Sequence, residues 1–335
     1  MIILQYISVA EREEKKIYSL SEYGSKLGVS SITLKQLREA GFESLNEIIL
    51  YNPNELSLKT GISEERANLI IRRARRIVKC KRIYTAFELK TYGRKFFTTG
   101  CKALDQLFGG GIELKALTEF VGEFGCGKTQ ICHQLCVTVQ LPRESGGLEA
   151  KAVFIDTEGT FSYERIENIA NRFGISPEFV LKNIYVVRAI TVSELEDIVE
   201  SELISILRDN VKLIAVDSLI ALYRAELKGL ENLAFRQQKI NYLLDWLKRF
   251  AEDYELAVVY TNQVVQAVSG FIVYKAPAGG NIVAHAGTYR VFLHKRKDCI
   301  EAEIFDSPRH PKVSCVFAVT NEGVVDVEEK KKKRK

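Results

Sequence analysis

The chain has 335 residues, of which 46% are hydrophobic and 27% charged, a composition that is typical of a folded globular protein and excludes a disordered one. No apolar run approaches the ~20 residues that a membrane-spanning helix needs, and we find no signal-peptide pattern at the start, so we expect a cytoplasmic protein without a membrane partner. The net charge of +5 lies in the last six residues, KKKKRK, and the rest of the chain is close to neutral. We interpret residues 328–335 as a solvated basic tail that can add weak, salt-sensitive phosphate affinity.

The cysteine count is odd and no CxxC pair occurs, which predicts neither a disulfide framework nor a zinc site. We therefore expect a reducing compartment. The seven cysteines are Cys80, Cys101, Cys126, Cys132, Cys136, Cys299 and Cys315.

Two similar helical segments, LGVSSITLKQL and TGISEERANLI, occur near the start of the chain. In each segment a glycine suited to a tight turn, Gly28 or Gly61, comes before a serine suited to an N-cap, Ser30 or Ser63. We predict a small all-α domain over residues 1–80, built from two helix-hairpin-helix units.

Basic residues follow the second hairpin at helical spacing, and Arg72, Arg76 and Lys79 fall on one side of the predicted helix. The backbone N–H groups at the start of such a helix can hold a phosphate. Two interpretations stay open: this side contacts DNA, or the domain is a packing unit with a solvated basic face.

The segment KRIYTAFELKTYGRKFFT, residues 81–98, is too polar for a core and too apolar for a free linker. We predict that it connects two domains. Within it, RIYTAFEL is interpreted as a short strand that adds to the sheet of a neighbouring molecule.

Residues 99–327 alternate between apolar strand-like runs and helical stretches, which predicts an α/β domain with a mainly parallel central sheet covered on both faces. The strand-like runs are LTEFVG (117–122), AVFID (152–156), NIYVV (183–187), LIAVD (213–217) and LAVVYT (256–261). The helical stretches include residues 162–174, 192–209 and 233–254. After residue 288 the strands follow one another without helices, so we expect a closing antiparallel set.

The stretch GEFGCGKT matches the phosphate-binding pattern GxxxxGK[ST], with a strand before it and a helix after it. The glycines let the backbone wrap the phosphates, Lys128 reaches the β- and γ-phosphate oxygens, and the Thr129 hydroxyl binds Mg²⁺. We therefore predict that the chain binds ATP with Mg²⁺. The expected nucleotide-binding residues of this loop are Gly122, Glu123, Phe124, Gly125, Cys126, Gly127, Lys128, Thr129 and Gln130.

Three acidic residues close neighbouring strands. Asp217 ends LIAVD, and we expect it to act on Mg²⁺ through water; the alternative is a carboxylate that caps a turn with Ser218. Asp156 and Glu158 end the run FIDTEG. We assign Glu158 as the general base that polarises the attacking water, whereas Asp156 is assigned either to this chemistry or to support of the fold.

The tripeptide TNQ, residues 261–263, ends another apolar strand. Polar side chains at such a place are costly to bury without partners. We predict that Gln263 senses the γ-phosphate and passes that state to the following segment; the alternative is a core amide with satisfied hydrogen bonds.

Several motifs together resemble one family, and they extend over residues 20–327. They are FTTGCKALDQLFGGGIE, GEFGCGKTQICHQL, VQLP, FIDTEGTF, RAELKGLENLAFRQQ, TNQVV, GGNIVAHAGTYR and FDSP. On these the chain resembles the archaeal RadA recombinases, which are related to eukaryotic strand-exchange recombinases and more distantly to bacterial RecA. The resemblance implies a RecA-like P-loop ATPase core behind the helix-hairpin-helix domain, and a DNA-dependent ATPase that exchanges strands in recombinational repair.

The same resemblance implies an ATP-bound helical filament, or a ring, in which ATP lies between neighbouring copies. The implied partners are single- and double-stranded DNA, further copies of the chain and recombination mediators, in a nucleoid-associated setting. IYTA aligns with the family's FxxA interface element. Ile83 replaces the phenylalanine of that element, and Ala86 matches its alanine. His285 matches a residue that links the nucleotide state to the DNA loops across the subunit interface.

Further nucleotide contacts are implied by the resemblance. Arg165 matches the residue near the adenine. Asp306 and Pro311 match a cap that closes on the ATP of a neighbouring copy.

Two DNA-binding loops are also implied. The first includes Arg224 and leads to Arg236, both suited to phosphate contact. The second covers residues 264–278, an apolar stretch in which Val268 can wedge between bases. It ends in Gly279, Gly280 and Asn281, where glycine lets backbone N–H groups approach phosphates.

The chain departs from the family pattern at four places. Ile83 replaces the larger phenylalanine, Leu230 and Ser162 stand where the family has arginine, and the second DNA loop is shorter and more hydrophobic. The weakened interface at Ile83 and the change at Leu230 favour a first alternative, a recombinase paralogue that acts as a mediator for another recombinase, whereas the complete N-terminal domain, Glu158 and the long match favour the recombinase. A hexameric motor such as a helicase is a second alternative, against which the IYTA element and the paired hairpins argue. A structural ATP-binding scaffold is a third, against which Glu158 and Gln263 argue.

Overall fold

A computed structural model describes residues 17–78, 83–229, 231–269 and 272–327. The chain divides into two compact units between Gly93 and Arg94, a boundary that lies inside the predicted connection of residues 81–98. The following parts of the sequence analysis lie outside the described residues: residues 1–16 of the predicted helical domain, Lys79, Cys80, residues 81–82, Leu230, residues 270–271 of the second DNA loop and the basic tail.

The first unit is helical, as the hairpin pattern predicts. The first predicted N-cap and both turns follow the sequence: Ser30 Oγ accepts the Thr33 N–H at 3.2 Å, and Gly28 and Gly61 adopt left-handed φ angles of 60° and 70°. Arg73 Nη1 donates to the Leu27 carbonyl at 2.7 Å and so ties the first hairpin to the last long helix. The helices are α1 Leu20–Tyr23, a 3-10 turn Gly24–Leu27, α2 Ser31–Glu39, α3 Leu45–Ile48, α4 Pro53–Thr60, α5 Glu64–Val78 and α6 Ala86–Tyr92.

The interpretation of RIYTAFEL as a short strand is wrong, because residues 86–92 form helix α6 and residues 83–85 belong to no strand. Thr85 Oγ1 accepts the Glu88 N–H at 3.1 Å, and Glu88 Oε2 accepts the Thr85 N–H at 2.8 Å. This reciprocal pair of bonds is a capping box, which fixes the start of a helix.

The second unit is α/β. Its strands are β1 Phe96–Phe97, β2 Ile112–Glu113, β3 Leu117–Gly122, β4 Lys151–Asp156, β5 Ile184–Arg188, β6 Val211–Asp217, β7 Ala257–Ser269, β8 Ile272–Pro277, β9 Tyr289–Lys295, β10 Ile300–Asp306, β11 Val313–Thr320 and β12 Gly323–Asp326. Its helices are α7 Lys102–Phe108, α8 Lys128–Thr138, a 3-10 turn Arg143–Ser145, α9 Tyr163–Arg172, α10 Pro177–Lys182, α11 Val192–Asp197, a π-helical turn Ile198–Glu202, α12 Leu203–Leu207, α13 Ala221–Glu226, α14 Leu233–Tyr254 and α15 Gly280–Ala286.

One large sheet organises this unit, in the order β12-β11-β10-β9-β3-β7-β6-β4-β5, with β8 attached to β7. The centre is parallel, from β9 through β3, β7, β6 and β4 to β5. Strands β9 to β12 pair antiparallel, as the run of strands without helices predicts. Strands β1 and β2 form a separate antiparallel pair.

The register brings the chemically important residues to one edge of the sheet. Asp156 of β4 lies opposite Asp217 of β6. Gly122 of β3 lies opposite Gln263 of β7. The carboxyl ends of these parallel strands therefore meet, which is where α/β proteins bind ligands. None of the described helices is long and apolar enough to cross a membrane.

The prediction of an apolar loop over residues 264–278 is wrong, because β7 continues to Ser269 and pairs with β8 as an antiparallel hairpin. The register sets Val264 opposite Pro277 and Val268 opposite Val273. Valine and isoleucine fit a pleated strand, and this preference competes with the loop interpretation. Residue 279 follows in a left-handed conformation (φ 94°), and α15 begins at Gly280.

Candidate nucleotide-binding site

The phosphate-binding loop joins the end of β3 to the start of α8. Gly125 and Gly127 have φ angles of 75° and 86°, a conformation that glycine adopts without strain. At Gly122 the reason for glycine is space, because a Cβ there would lie 2.7 Å from the Leu293 carbonyl oxygen. The loop therefore needs its glycines for two different reasons.

The loop borders a cavity of about 550 Å³. All nine residues predicted from the motif line it, and so do Glu158, Asp217 and Gln263, which the sequence placed at other strand ends. The full lining is Gly122, Glu123, Phe124, Gly125, Cys126, Gly127, Lys128, Thr129, Gln130, Glu158, Thr160, Asp217, Ser218, Thr261, Gln263, Val264, Ile300 and Val319. The structure thus gathers the predicted chemistry in one place.

Lys128 supplies the positive charge of the cavity. Its Nζ donates to the carbonyl oxygens of Gly122 at 2.9 Å and Glu123 at 2.8 Å. Lys128 is also the first residue of α8, so the ammonium and the N-terminal backbone N–H groups of a helix lie together. That combination attracts the negative charge of a polyphosphate.

Asp217 accepts hydrogen bonds from three threonine hydroxyls. Thr129 Oγ1 lies 2.7 Å and Thr160 Oγ1 2.9 Å from Asp217 Oδ2, while Thr261 donates to Oδ1. Ser218 donates elsewhere, to Glu158, so the alternative role of Asp217 as the cap of a turn with Ser218 is not supported. The oxygens of Thr129 and Asp217 therefore face the cavity together.

This arrangement fits Mg²⁺ held with a nucleotide. Among the described residues no group of three His, Cys, Asp or Glu side chains could hold a metal alone. Mg²⁺ is commonly bound by one or two protein oxygens together with substrate phosphates and water. Thr129 and Asp217 are the residues that would supply the protein oxygens.

Asp156 supports the fold rather than the chemistry. Its Oδ1 accepts the N–H groups of Glu158 at 3.1 Å and Gly159 at 2.6 Å, and it forms an ion pair with Arg188 at 3.1 Å. The carboxylate is therefore occupied in holding the turn that carries Glu158. Of the two interpretations of Asp156, the structure supports the structural one.

Glu158 projects from that turn into the cavity. Its Oε1 accepts from Ser218 Oγ at 2.7 Å and from Gln263 Nε2 at 3.1 Å. Both donors orient the carboxylate without neutralising it. Such a carboxylate can take a proton from a water molecule placed between it and a bound γ-phosphate.

Gln263 has partners on both ends of its amide. Nε2 donates to Glu158, and Oε1 accepts from Arg224 Nη1 at 3.2 Å. Arg224 lies on α13, which follows β6. Gln263 lines the cavity, unlike the core amide of the alternative interpretation, and it joins the candidate base to a predicted DNA-binding arginine.

The hairpin is attached to the phosphate-binding loop by a second contact. Lys275 of β8 forms an ion pair with Glu123. The bond pulls the pKa of the Glu123 carboxyl below its usual range. The hairpin predicted as the second DNA loop therefore contacts the nucleotide site directly.

Arg165 and Ser162 lie at the start of α9, beside the cavity lining. Arg165 Nε donates to Gln130 at 2.8 Å, and its other nitrogens donate to the carbonyls of Thr320 and Asn321. The predicted adenine-binding guanidinium is thus fixed at the β11–β12 turn. Ser162 Oγ accepts the Arg165 N–H at 3.2 Å, so the serine is the N-cap of α9.

A buried histidine, His133, holds the start of α9 in place. His133 Nε2 accepts the Ser162 N–H at 3.1 Å, and the ring stacks on Phe154 at 5.2 Å. Burial lowers the pKa of His133 to about 4. The imidazole is therefore neutral at pH 7, as an acceptor at Nε2 requires.

The remaining predicted residues lie away from the cavity of their own chain. Asp306 and Pro311 are exposed, and Asp306 pairs with Arg290 at 3.5 Å. Ile83 and Ala86 are exposed in the first unit. His285 borders a groove between α14 and α15.

The two predicted arginines of the first DNA loop lie on helices. Arg224 is exposed on α13, and Arg236 in the first turns of α14 donates to the Leu227 carbonyl at 2.8 Å.

Sequence reasoning missed several cavity residues. Thr160 and Thr261 bond to Asp217, and Ser218 bonds to Glu158. These three residues lie within two positions of Glu158, Gln263 and Asp217, so the neighbouring motifs could have pointed to them. Ile300 and Val319 form an apolar wall from antiparallel strands, and no local pattern points to them.

Comparison with known proteins agrees with this geometry. The family model described as Rad51 matches residues 95–327. Over 307 residues the chain is 45% identical to the DNA repair and recombination protein RadA of Aeropyrum pernix, in a match that covers 90% of this chain and 95% of that protein. The chain belongs to the Rad51 family, with the RecA-like core and the archaeal RadA likeness that its motifs predict.

Proposed function

We propose that the protein is an ATP-dependent DNA recombinase that assembles on single-stranded DNA, pairs it with homologous duplex and exchanges strands. The observation that carries this proposal is the amide of Gln263, which bonds to Glu158 in the nucleotide cavity and to Arg224 on α13. The relative from Aeropyrum pernix, named a DNA repair and recombination protein, supports the same assignment.

ATP hydrolysis would use the cavity as follows. Lys128 and the loop N–H groups bind the phosphates, while Glu158 accepts the proton of the attacking water. Mg²⁺, held by Thr129 and Asp217, would neutralise charge on the phosphates. Gln263 reports the γ-phosphate by exchanging its bond to Glu158 for a bond to a phosphate oxygen.

DNA binding would use the surfaces that adjoin Gln263. Arg224 and Arg236 are placed for phosphate contacts, which carry no sequence information and so suit a homology search. Val268 would act as the wedge between bases that the family resemblance implies, at a cost of a few kcal/mol for each unstacked step. Backbone N–H groups of Gly279, Gly280 and Asn281 would add phosphate contacts beyond the hairpin.

Assembly would place ATP between copies in a filament or ring. Ile83 and Ala86, both exposed, would dock on the next copy, and Asp306 and Pro311 would cap its nucleotide. Arg165 would face the adenine, and His285 would carry the nucleotide state across the interface. We place this activity in the cytoplasm, associated with the nucleoid and open to recombination mediators.

A second candidate is a mediator paralogue that stabilises another recombinase's filament. One observation favours it: Ile83 is 88% exposed and offers a smaller anchor than the phenylalanine of the family pattern. Weak self-assembly would leave the ATP site intact while limiting strand exchange.

A strand-exchange assay separates the two candidates. The protein is mixed with a single-stranded oligonucleotide, a labelled homologous duplex, Mg²⁺ and ATP, with a heterologous duplex as the control. We expect release of the labelled strand from the homologous duplex alone. Normal ATP and single-strand binding without release would contradict the recombinase proposal and support the mediator.

A further inference from the structure

A buried polar side chain next to the γ-phosphate sensor has no role in the function proposed so far. Asn262 is fully buried between β3 and the base of the β7–β8 hairpin. Its Nδ2 donates to Glu119 Oε1 at 2.6 Å and to the Ala278 carbonyl at 2.7 Å. Its Oδ1 accepts the Gln263 N–H at 2.8 Å.

These bonds close the neck of the hairpin. The Ala278 N–H donates to the Gln263 carbonyl at 2.9 Å, so residues 263 and 278 face each other where the hairpin leaves the sheet. Asn262 bonds to both sides of that neck at once. The Asn262 amide therefore holds the Gln263 backbone from one side, while pairing with β3 and the Ala278 N–H hold it from the others.

The other end of this arrangement is a buried ion pair. Glu119 has no exposed surface, and its Oε2 accepts from Arg290 Nε at 2.6 Å. Burial raises the pKa of the Glu119 carboxyl, and the Arg290 guanidinium and the Asn262 amide oppose that rise. Arg290 also forms an ion pair with Asp306, which is exposed at the end of β10. A contiguous chain of polar groups thus runs from the proposed cap residue to the hairpin neck.

We infer that Asn262 is a positioning residue, which fixes Gln263 and the hairpin neck against the buried Glu119–Arg290 pair and so couples hydrolysis to DNA. Asn262 itself does not line the cavity; it acts through its neighbour. This inference rests on the proposed function, because it assigns a role in the same site. A rigid anchor matters here because small displacements of catalytic groups have large effects on rate.

The test uses Asn262→Asp, which keeps the size and the acceptor but replaces both donated bonds with repulsion from Glu119 and the Ala278 carbonyl. We expect kcat for ATP hydrolysis with single-stranded DNA to fall by about tenfold or more, while the Kd for a fluorescent ATP analogue stays unchanged. Adding Glu119→Gln to this variant restores a donor that faces the introduced carboxylate. We expect the double variant to recover most of the lost kcat.

Gln134→Glu is the matched control. The Gln134 amide donates to the carbonyls of Thr99 and Val324 and accepts from the Val324 N–H and from Arg172, so the substitution likewise removes two donated bonds of a buried amide, but away from Gln263. We expect its melting temperature to fall and its kcat to stay near that of the unsubstituted protein.

A kcat of Asn262→Asp within twofold of the unsubstituted protein would overturn the inference, and so would equal losses in both single variants. Absence of DNA-stimulated hydrolysis in the unsubstituted protein would contradict the proposed function instead. In that case basal hydrolysis in the same three variants still tests whether Asn262 positions the sensor.

Discussion

The Gln263 side-chain amide donates to Glu158 at 3.1 Å, and the other end of the same amide accepts from Arg224 at 3.2 Å. One side chain therefore bonds to the candidate base and to a predicted DNA contact. A phosphate bound by Arg224 would compete with Gln263 for the Arg224 guanidinium, and a lost or reoriented bond would act on the same amide that bonds to Glu158.

Replacing the candidate base tests the chemistry. Glu158→Gln keeps the bonds from Ser218 and Gln263 possible but removes the proton acceptor. We expect ATP binding to persist and hydrolysis to fall by about 10²-fold or more, the usual contribution of a general base. Single-turnover hydrolysis beside nucleotide-binding titrations measures both. Glu178→Gln on α10, an exposed glutamate, is the control; equal hydrolysis in both variants would show that Glu158 is not the base.

The buried His133 predicts a dependence of stability on pH. Its pKa is about 4 in the folded protein against 6.5 for an unperturbed histidine, with burial as the largest cause. Between these values the unfolded chain binds a proton that the folded chain does not. The stability contribution is therefore complete above pH 6.5 and is lost as pH falls toward 4, with a slope of up to about 1.4 kcal/mol per pH unit.

Urea unfolding followed by the single tryptophan, Trp246, measures this slope in the second unit. The control is His133→Gln, which has an amide acceptor for the Ser162 N–H and does not titrate. We expect the free energy of unfolding of this variant to change less between pH 6.5 and 4 than that of the unsubstituted protein. Identical slopes would contradict the assignment of a neutral, buried imidazole.

The size of the interface anchor predicts the strength of self-assembly. Ile83 is 88% exposed, and Ile83→Phe adds apolar area that gains free energy only when another copy buries it. We expect larger assemblies at lower protein concentration, measured by sedimentation velocity with ATP. Ile32→Phe, at another exposed isoleucine, is the matched control. Equal assembly in both variants would remove Ile83 from the interface.

The first DNA loop predicts a change in salt dependence. Leu230→Arg restores the charge that the family pattern carries there. One added phosphate contact steepens the slope of log K against log salt concentration by about 0.7 for single-stranded DNA. Fluorescence anisotropy across a salt series measures the slope, with Leu230→Gln as the uncharged control. A slope equal to that of the control would show that position 230 does not contact phosphate.

The sequence predicts which residues gather at the cavity, because these residues belong to local patterns at strand ends. Asp217 ends an apolar strand, Lys128 and Thr129 follow the glycine loop after another, and parallel pairing brings such ends together. The capping box of Thr85 and Glu88 is also visible in the sequence as Thr-x-x-Glu, a pattern that predicts the start of helix α6 and not a strand.

Other features depend on contacts between distant segments. Glu119 and Arg290 pair across neighbouring strands separated by most of the domain, and a charge inside an apolar run gives no hint of its partner. The hairpin strands β7 and β8 are not predicted from the sequence, because the apolar residues of this segment have no clear period of two and also fit a loop. Asp156 could serve catalysis or the fold as far as the sequence shows. The hydrogen bonds that its carboxylate accepts from the N–H groups of Glu158 and Gly159 decide for the fold.

The most direct test of the link between ATP hydrolysis and DNA is the rate of ATP hydrolysis by the full chain with and without single-stranded DNA, at fixed salt. We expect that DNA raises the rate, that Arg224→Gln reduces the stimulation while leaving basal hydrolysis in place, and that Lys128→Ala abolishes both. A rate that is independent of DNA would contradict the claim that Gln263 joins this nucleotide site to DNA, and full activity of Lys128→Ala would contradict the assignment of the ATP site itself.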